Sequence, residues 1–323
     1  MRPIRSNMRA DQAEGLRRLL AWNRTRVVIV VAGKPGVGCT STTINLAAAM
    51  AHSGKKVLVL DENHTPNNLL DQLGLYARYD LLDIIEEKCK PHEAVLSSKG
   101  FSVLSTARAM HTLAQLKHVE HQRLENALSK VSCGVDVMLV DAAMPVLMEP
   151  PAIRLGYQRT AARSLVMNKI EGSVAQAVVS LLMVVDATAS GITGSYALIK
   201  RMALDNACLQ FEIVVSNVFD EQAAMTVFSN MAKVARCNLA ARLEYLGYIP
   251  QNERLKRATQ QRKSVVDAFP TAALAKFYFE LSQKLLHLPI QQNEAEGGVR
   301  TIIRKVPQPI CEHNKKVAYD VNC

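Results

Sequence analysis

Seven short runs of aliphatic and β-branched residues punctuate the chain: 26–32 (RVVIVVA), 56–60 (KVLVL), 101–104 (FSVL), 137–141 (VMLVD), 181–186 (LLMVVD), 211–216 (FEIVVS) and 245–249 (YLGYI). Most are apolar nearly throughout rather than alternating, the pattern of strands buried on both faces. Segments with helical periodicity separate them, so the runs predict βαβ units. The expected fold is α/β, a doubly wound and mostly parallel sheet with helices on both faces. Ligands on such sheets bind beyond the carboxyl ends of the strands. The glycine-rich segment after the first run, Asp61 after the second and Asp141 at the end of the fourth should therefore meet on one rim.

Three segments stand outside this alternation and suggest a division into 1–24, 25–288 and 289–323. Residues 10–23 (ADQAEGLRRLLAWN) read as a short amphipathic helix, with Asp11 as cap, Glu14 completing a capping box, and Leu16, Leu19 and Leu20 on one face. Gly15 and the short length leave it unstable alone, which predicts docking on a partner or on its own domain. Residues 142–174 carry three prolines where a compact βαβ fold needs only a short connection, and read as an insertion or lid. The tail from 289 reads as flexible and basic, and its GVRTIIRKV stretch could lie on a membrane surface.

Composition narrows the setting. The 323 residues are 49% hydrophobic, enough for a sizeable core. No run of 18 apolar residues and no apolar segment behind the N-terminal arginines occurs, so a membrane span and a secretory signal are not expected and a cytoplasmic location is. The seven cysteines (39, 89, 133, 208, 237, 311 and 323) are scattered and never in C-x-x-C spacing, which disfavours a disulfide framework or a zinc site. A formal charge of +10, concentrated in the arginines before residue 27 and in the tail, favours an acidic partner or surface. The bland alternative is a set of solvated faces.

The chemistry lies in GKPGVGCTS, residues 33–41. Gly33, Gly38 and Thr40 satisfy the G-x-x-x-x-G-K-[ST] spacing, in which backbone N–H groups curl around phosphate oxygens, a helix N-terminus adds positive charge and the hydroxyl binds Mg²⁺. The lysine of that pattern is Cys39 here, and Pro35 removes one backbone donor. At an effective dielectric near 20, a charge lost at about 4 Å from a phosphate is worth roughly 4 kcal/mol. Asp61-Glu62-Asn63 follows the second run, where Asn63 can hydrogen-bond a water but cannot take its proton. Asp141 closes an apolar run as a Mg²⁺-binding aspartate would, although a helix cap or turn also explains it. Asn217 ends FEIVVSN, where a turn role competes with a ligand role.

Taken together, G-K-P-G-V-G-C-T, D-E-N and VMLVD resemble the deviant phosphate loop and rim of the MinD/ParA ATPases. DQAEGLRRLL, SYALIKRM (195–202) and LEYLGYIPQNERLKRATQQRKSVVDAFPTA (243–272) are similar, more narrowly, to the FlhG/FleN family of flagellar-number regulators. The resemblance runs from about residue 10 to 287, leaving out much of 142–174. It implies ATP and Mg²⁺ as cofactors, with Gly33, Lys34, Gly36, Val37, Gly38, Cys39, Thr40 and Ser41 around the phosphates and Asn217 reading adenine. It places Mg²⁺ on Thr40, Asp61 and Asp141. Lys34 would reach a partner's nucleotide across a homodimer, and Asn63 stands where the family positions the attacking water. Asp11, Gln12, Ala13, Leu16 and Arg17 fall on the segment that engages an FlhF-type GTPase. Flagellar switch (C-ring) or transcription-regulator proteins and an anionic inner-membrane surface are the other implied partners.

The departures at Pro35, Cys39 and Asn63 all lie on the catalytic rim and predict weak or lost ATP hydrolysis. The reading that follows is a flagellar regulator acting by nucleotide-gated or nucleotide-independent binding. An active membrane-cycling ATPase switch is the alternative. A ParA-type DNA-partitioning ATPase comes third, because the N-terminal and GYIP segments point away from DNA.

Overall fold

The computed structural model describes residues 25–112, 118–142, 178–204, 210–239 and 241–288. Eight strands form one sheet: β1 (Arg26–Ala32), β2 (Val57–Asp61), β3 (Leu96–Ser98), β4 (Phe101–Ser105), β5 (Val137–Asp141), β6 (Val178–Asp186), β7 (Gln210–Val218) and β8 (Arg242–Pro250). Their order is β3-β4-β2-β5-β1-β6-β7-β8. Every neighbouring pair is parallel except β3 with β4. The α/β, doubly wound architecture read from the apolar runs is the one observed. β3 is an addition: three residues, Leu-Ser-Ser, form a short antiparallel edge, the kind of edge that offers little to another chain.

Alternation along the strands sends successive side chains to opposite faces, and the central strands are packed on both. Val28, Val30, Leu139, Leu182 and Val184 face helix α1 (Cys39–His52) and the later helices α10 (Val265–Ala268) and α11 (Ala273–His287). Val27, Ile29, Met138, Met183 and Val185 pack on the opposite face, against α3 (Leu81–Ile85), α6 (His118–Val131), α7 (Ala189–Leu204) and α8 (Glu221–Leu239). The remaining short helices are α2 (Leu69–Leu73), α4 (Pro91–Ala94), α5 (Ala107–Thr112) and α9 (Glu253–Gln260).

α1 begins directly after the glycine-rich loop. Its alanines have the highest helix propensity and need little room, which lets Thr42 to Met50 lie buried between sheet and α11. Burial leaves its polar groups dependent on specific partners. Asn45 Nδ2 donates to the Ser41 carbonyl at 2.7 Å, and its Oδ1 accepts from the Val265 N–H at 2.7 Å, tying α1 to the start of α10. Asn45→Ala orphans a buried N–H and is expected to lower unfolding free energy by about 1–3 kcal/mol, read as a lower urea midpoint with an unchanged slope.

The proposed extension 1–24 with its docking helix, all of 142–174 except Ala142, and the tail from 289 lie outside the described residues. Among the described residues Cys39, Cys89, Cys133 and Cys237 take part in no disulfide.

Candidate functional site

Register brings the rim together. β2 and β5 pair with Asp61 opposite Asp141, and β1 and β5 pair with Val30 opposite Asp141, so both carboxylates stand beside the loop that leaves β1. Gly36 (φ 77°) and Gly38 (φ 95°) adopt left-handed conformations, and a Cβ built on either would meet open space. The loop thus leaves room at the N-terminus of α1, where backbone N–H groups and the helix dipole favour an anion. Gly33 serves a different purpose: a Cβ there would fall 2.1 Å from the Ser195 nitrogen, so the loop seats directly on the backbone of α7. Beside this seat, Lys34 Nζ donates to Ser190 Oγ at 2.9 Å.

Asp141 is only 1% exposed. Thr40 Oγ1 donates to its Oδ2 at 2.8 Å, while Thr43 Oγ1 and Cys39 Sγ reach its Oδ1 at 3.2 and 3.5 Å. Burial pushes its pKa up to about 6, against the pull of these three donors. Asp61, also 1% exposed, is pushed up to about 7, first by burial and then by the charge of Asp141. The Asn63 N–H, 3.0 Å from Asp61 Oδ1, opposes the rise. The backbone N–H groups of Leu69 and Leu70 also oppose the rise, and Asp61 Oδ2 is buried without a hydrogen bond of good geometry. Burial, followed by the Asp141 charge, holds the Cys39 thiol well above its ordinary value. It is therefore a neutral donor, also directed at the Val30 carbonyl at 3.4 Å. Burial thus holds both carboxylates above their ordinary range, beside a neutral thiol.

Asn63 has other commitments. Its Oδ1 accepts from the Thr65 N–H at 3.1 Å and from Thr65 Oγ1 at 2.8 Å, closing a local turn rather than presenting the oxygen to a bound water. Asn217 sits exposed at the end of β7 with φ 62°, and its Nδ2 donates to Asp186 Oδ1 at 3.1 Å. Ser216 Oγ donates to the Val37 carbonyl at 3.3 Å, holding this strand end against the loop.

Sequence reasoning assigned no role to α9. Leu255, Lys256, Thr259 and Gln260 of that helix face Gly36, Gly38 and Ser41 across an open groove of about 470 Å³. The available signal was Asn252 ahead of ERLKRATQ; its side chain does cap the helix, accepting from the Arg254 N–H at 2.9 Å. Asp11, Gln12, Ala13, Leu16 and Arg17 lie outside the described residues.

The rim fits a Mg²⁺–nucleotide in two respects. The unpartnered Asp61 Oδ2, with Asp141 and Thr40, supplies oxygen donors suited to a hard cation, and the open glycine cradle suits phosphates. It departs in one, because no cation stands at position 39.

The chain is 28% identical over 294 residues to the antiactivator FleN of Pseudomonas aeruginosa, spanning 91% of this chain and 97% of that protein. It is 30% identical over 133 residues to the septum site-determining protein MinD of Bacillus subtilis, covering 41% of this chain and 47% of that one. Among solved structures, MinD in the MinC:MinD complex of Aquifex aeolicus superposes with a TM-score of 0.58 at 21% identity, over 82% of this chain and 97% of its own. MinD of Pyrococcus horikoshii complexed with Mg-ADP superposes at 0.54 with 19% identity, over 81% and 96%. The CobQ/CobB/MinD/ParA nucleotide binding domain model matches residues 28–265, most of the chain, and the protein belongs to that family.

Proposed function

We propose that this protein regulates flagellar biosynthesis, in number or placement, by binding an FlhF-type GTPase and flagellar switch or transcription-regulator proteins, with a nucleotide site of low or absent turnover. The observation that carries the proposal is the likeness to FleN along almost the whole length of both chains, whereas the likeness to MinD of B. subtilis covers less than half of either. FleN is named an antiactivator, which favours control of gene expression as one output.

The domain assignment belongs to this reading: 1–24 docks the partner, 25–288 is the ATPase-like body with 142–174 as insertion or lid, and 289–323 is a basic tail. Among the described residues no helix is long and apolar enough to cross a membrane. The proposed location is the cytoplasm, with peripheral contact at the inner membrane.

ATP–Mg²⁺ is the proposed ligand, and when bound it would supply the charge that makes the loop state-dependent. This chain's residues then divide the work. Thr40, Asp61 and Asp141 hold the cation. Gly33, Lys34, Gly36, Val37, Gly38 and Ser41 surround the phosphates, and Asn217 meets the base. Cys39 contributes only a neutral hydrogen bond. Asn63, engaged with Thr65, orients no water in this arrangement.

The second reading, an ATPase switch that dimerises through Lys34, requires that side chain to leave Ser190. Two measurements separate the readings. Deleting residues 1–22 is expected to abolish stimulation of an FlhF-type GTPase; unchanged stimulation sinks the docking proposal. Steady-state ATP hydrolysis is expected at background, and turnover that falls on Lys34→Ala or Asp141→Ala favours the switch.

A further inference from the structure

Asn217 is a non-glycine residue in the left-handed region, at the one strand end that a bond from Ser216 holds against the phosphate loop. An asparagine amide has two ends of opposite polarity and nearly equal shape, so its use as a base reader depends on what fixes its rotation. Here the fixing group is Asp186, at the carboxyl end of β6 and 9% exposed. A carboxylate accepts hydrogen bonds and does not donate them. The Asn217 group 3.1 Å from Asp186 Oδ1 is consequently the amide nitrogen, and chemistry forbids the reverse orientation. Asp186 is held in turn: Thr188 Oγ1 donates to its Oδ2 at 2.6 Å, and the Gly191 N–H donates to Thr188 Oγ1 at 3.2 Å. Gly191 has no room for a side chain, since a Cβ there would lie 2.5 Å from the Asp186 carbonyl oxygen.

We infer that Asp186 is a specificity-positioning residue: by holding the nitrogen end of Asn217 inward it presents the amide oxygen outward, selecting a purine with an amino group at C6 over one with a 6-oxo group. An amide oxygen accepts from the 6-amino group, whereas a 6-oxo purine sets a second acceptor against it. A site built to pair a donor discriminates against the analogue that lacks it. For one partly exposed hydrogen bond, the discrimination expected is on the order of tenfold or more. The inference rests on the proposed nucleotide site and names the residue that sets its base preference.

The experiment is calorimetric titration of the full chain with Mg–ATP, Mg–ITP and tripolyphosphate. ITP carries the same ribose and phosphates with a 6-oxo purine, and tripolyphosphate has no base, so it reports the loop alone. The wild type is expected to prefer ATP to ITP by at least about tenfold. Asp186→Asn keeps the shape but can donate as well as accept, which frees Asn217 to rotate, and the preference should fall to near one while tripolyphosphate binding persists. An undiminished preference in Asp186→Asn overturns the role of Asp186, as does a wild type that binds both nucleotides equally. Absence of binding by all three ligands overturns the nucleotide site and this inference with it. Should Asp186→Asn not fold, Asn217→Gly suits the left-handed backbone and removes the reader. A preference that survives it also overturns the assignment.

Discussion

Replacing Cys39 with lysine is expected to tighten Mg–ATP binding by up to about a thousandfold. The sulfur sits 3.5 Å from Asp141 Oδ1 at the first position of α1, directly after the open cradle of Gly36 and Gly38. A lysine side chain is long enough to pass the carboxylate and bring its ammonium toward the cradle. At about 4 Å and an effective dielectric near 20, the added charge is worth roughly 4 kcal/mol against one phosphate charge. The same ammonium faces Asp141 and, through it, Asp61, and should favour ionisation of both. Calorimetric titration of the wild type and Cys39→Lys with Mg–ATP reads the difference directly. Equal affinities would show that the loop is no longer shaped for phosphate, with Pro35, which lacks an N–H, as the first suspect.

The second large effect concerns stability and runs opposite to intuition for an aspartate on a ligand-binding rim. In Mg²⁺-free buffer at pH 8, Asp61→Asn is expected to be more stable than the wild type by roughly 4 kcal/mol. The folded pKa of about 7 lies above the ordinary 3.8, so the native state binds the proton more tightly than the unfolded chain. Stability from this group is complete below pH 4 and declines as pH rises to 7. Above that, the ionised carboxylate is buried with Oδ2 unpartnered. Asparagine does not ionise, yet its amide oxygen can still accept from the Asn63 N–H. The advantage should therefore be large at pH 8 and nearly absent at pH 4, seen in thermal melts as a shift on the order of 10 °C. Added Mg²⁺ should stabilise the wild type more than the variant. A variant destabilised equally at both pH values would remove Asp61 as the source of the buried charge.

Much of the site was legible because its information is local. The loop spacing, the missing lysine at position 39 and the strand-ending Asp61 and Asp141 are all visible within a few residues of a strand. So was the fold, since each parallel strand announces itself by an apolar run. What sequence could not supply was pairing across distance. Nothing around Lys34 indicates that its ammonium rests on Ser190, 156 positions away, and nothing around Asn217 names Asp186. Strand ends fail for a related reason: β6, β7 and β8 run beyond their apolar cores because neighbouring strands provide backbone partners for polar residues such as Gln210 and Arg242. β3 has three residues and two serines, too little pattern to register. Asn63 reads as a polar residue on the rim until Thr65 is seen to occupy its oxygen.

α1 has one more property. At its middle Asn45 is bonded to Val265, 220 positions away, and at its last residue His52 Nε2 lies 2.9 Å from Asp267 Oδ1, both partners belonging to α10. A rod bolted to the same plate at two points does not pivot; it carries the plate along. A displacement of the glycine loop is thus expected to reach α10 and α11 packed beside it.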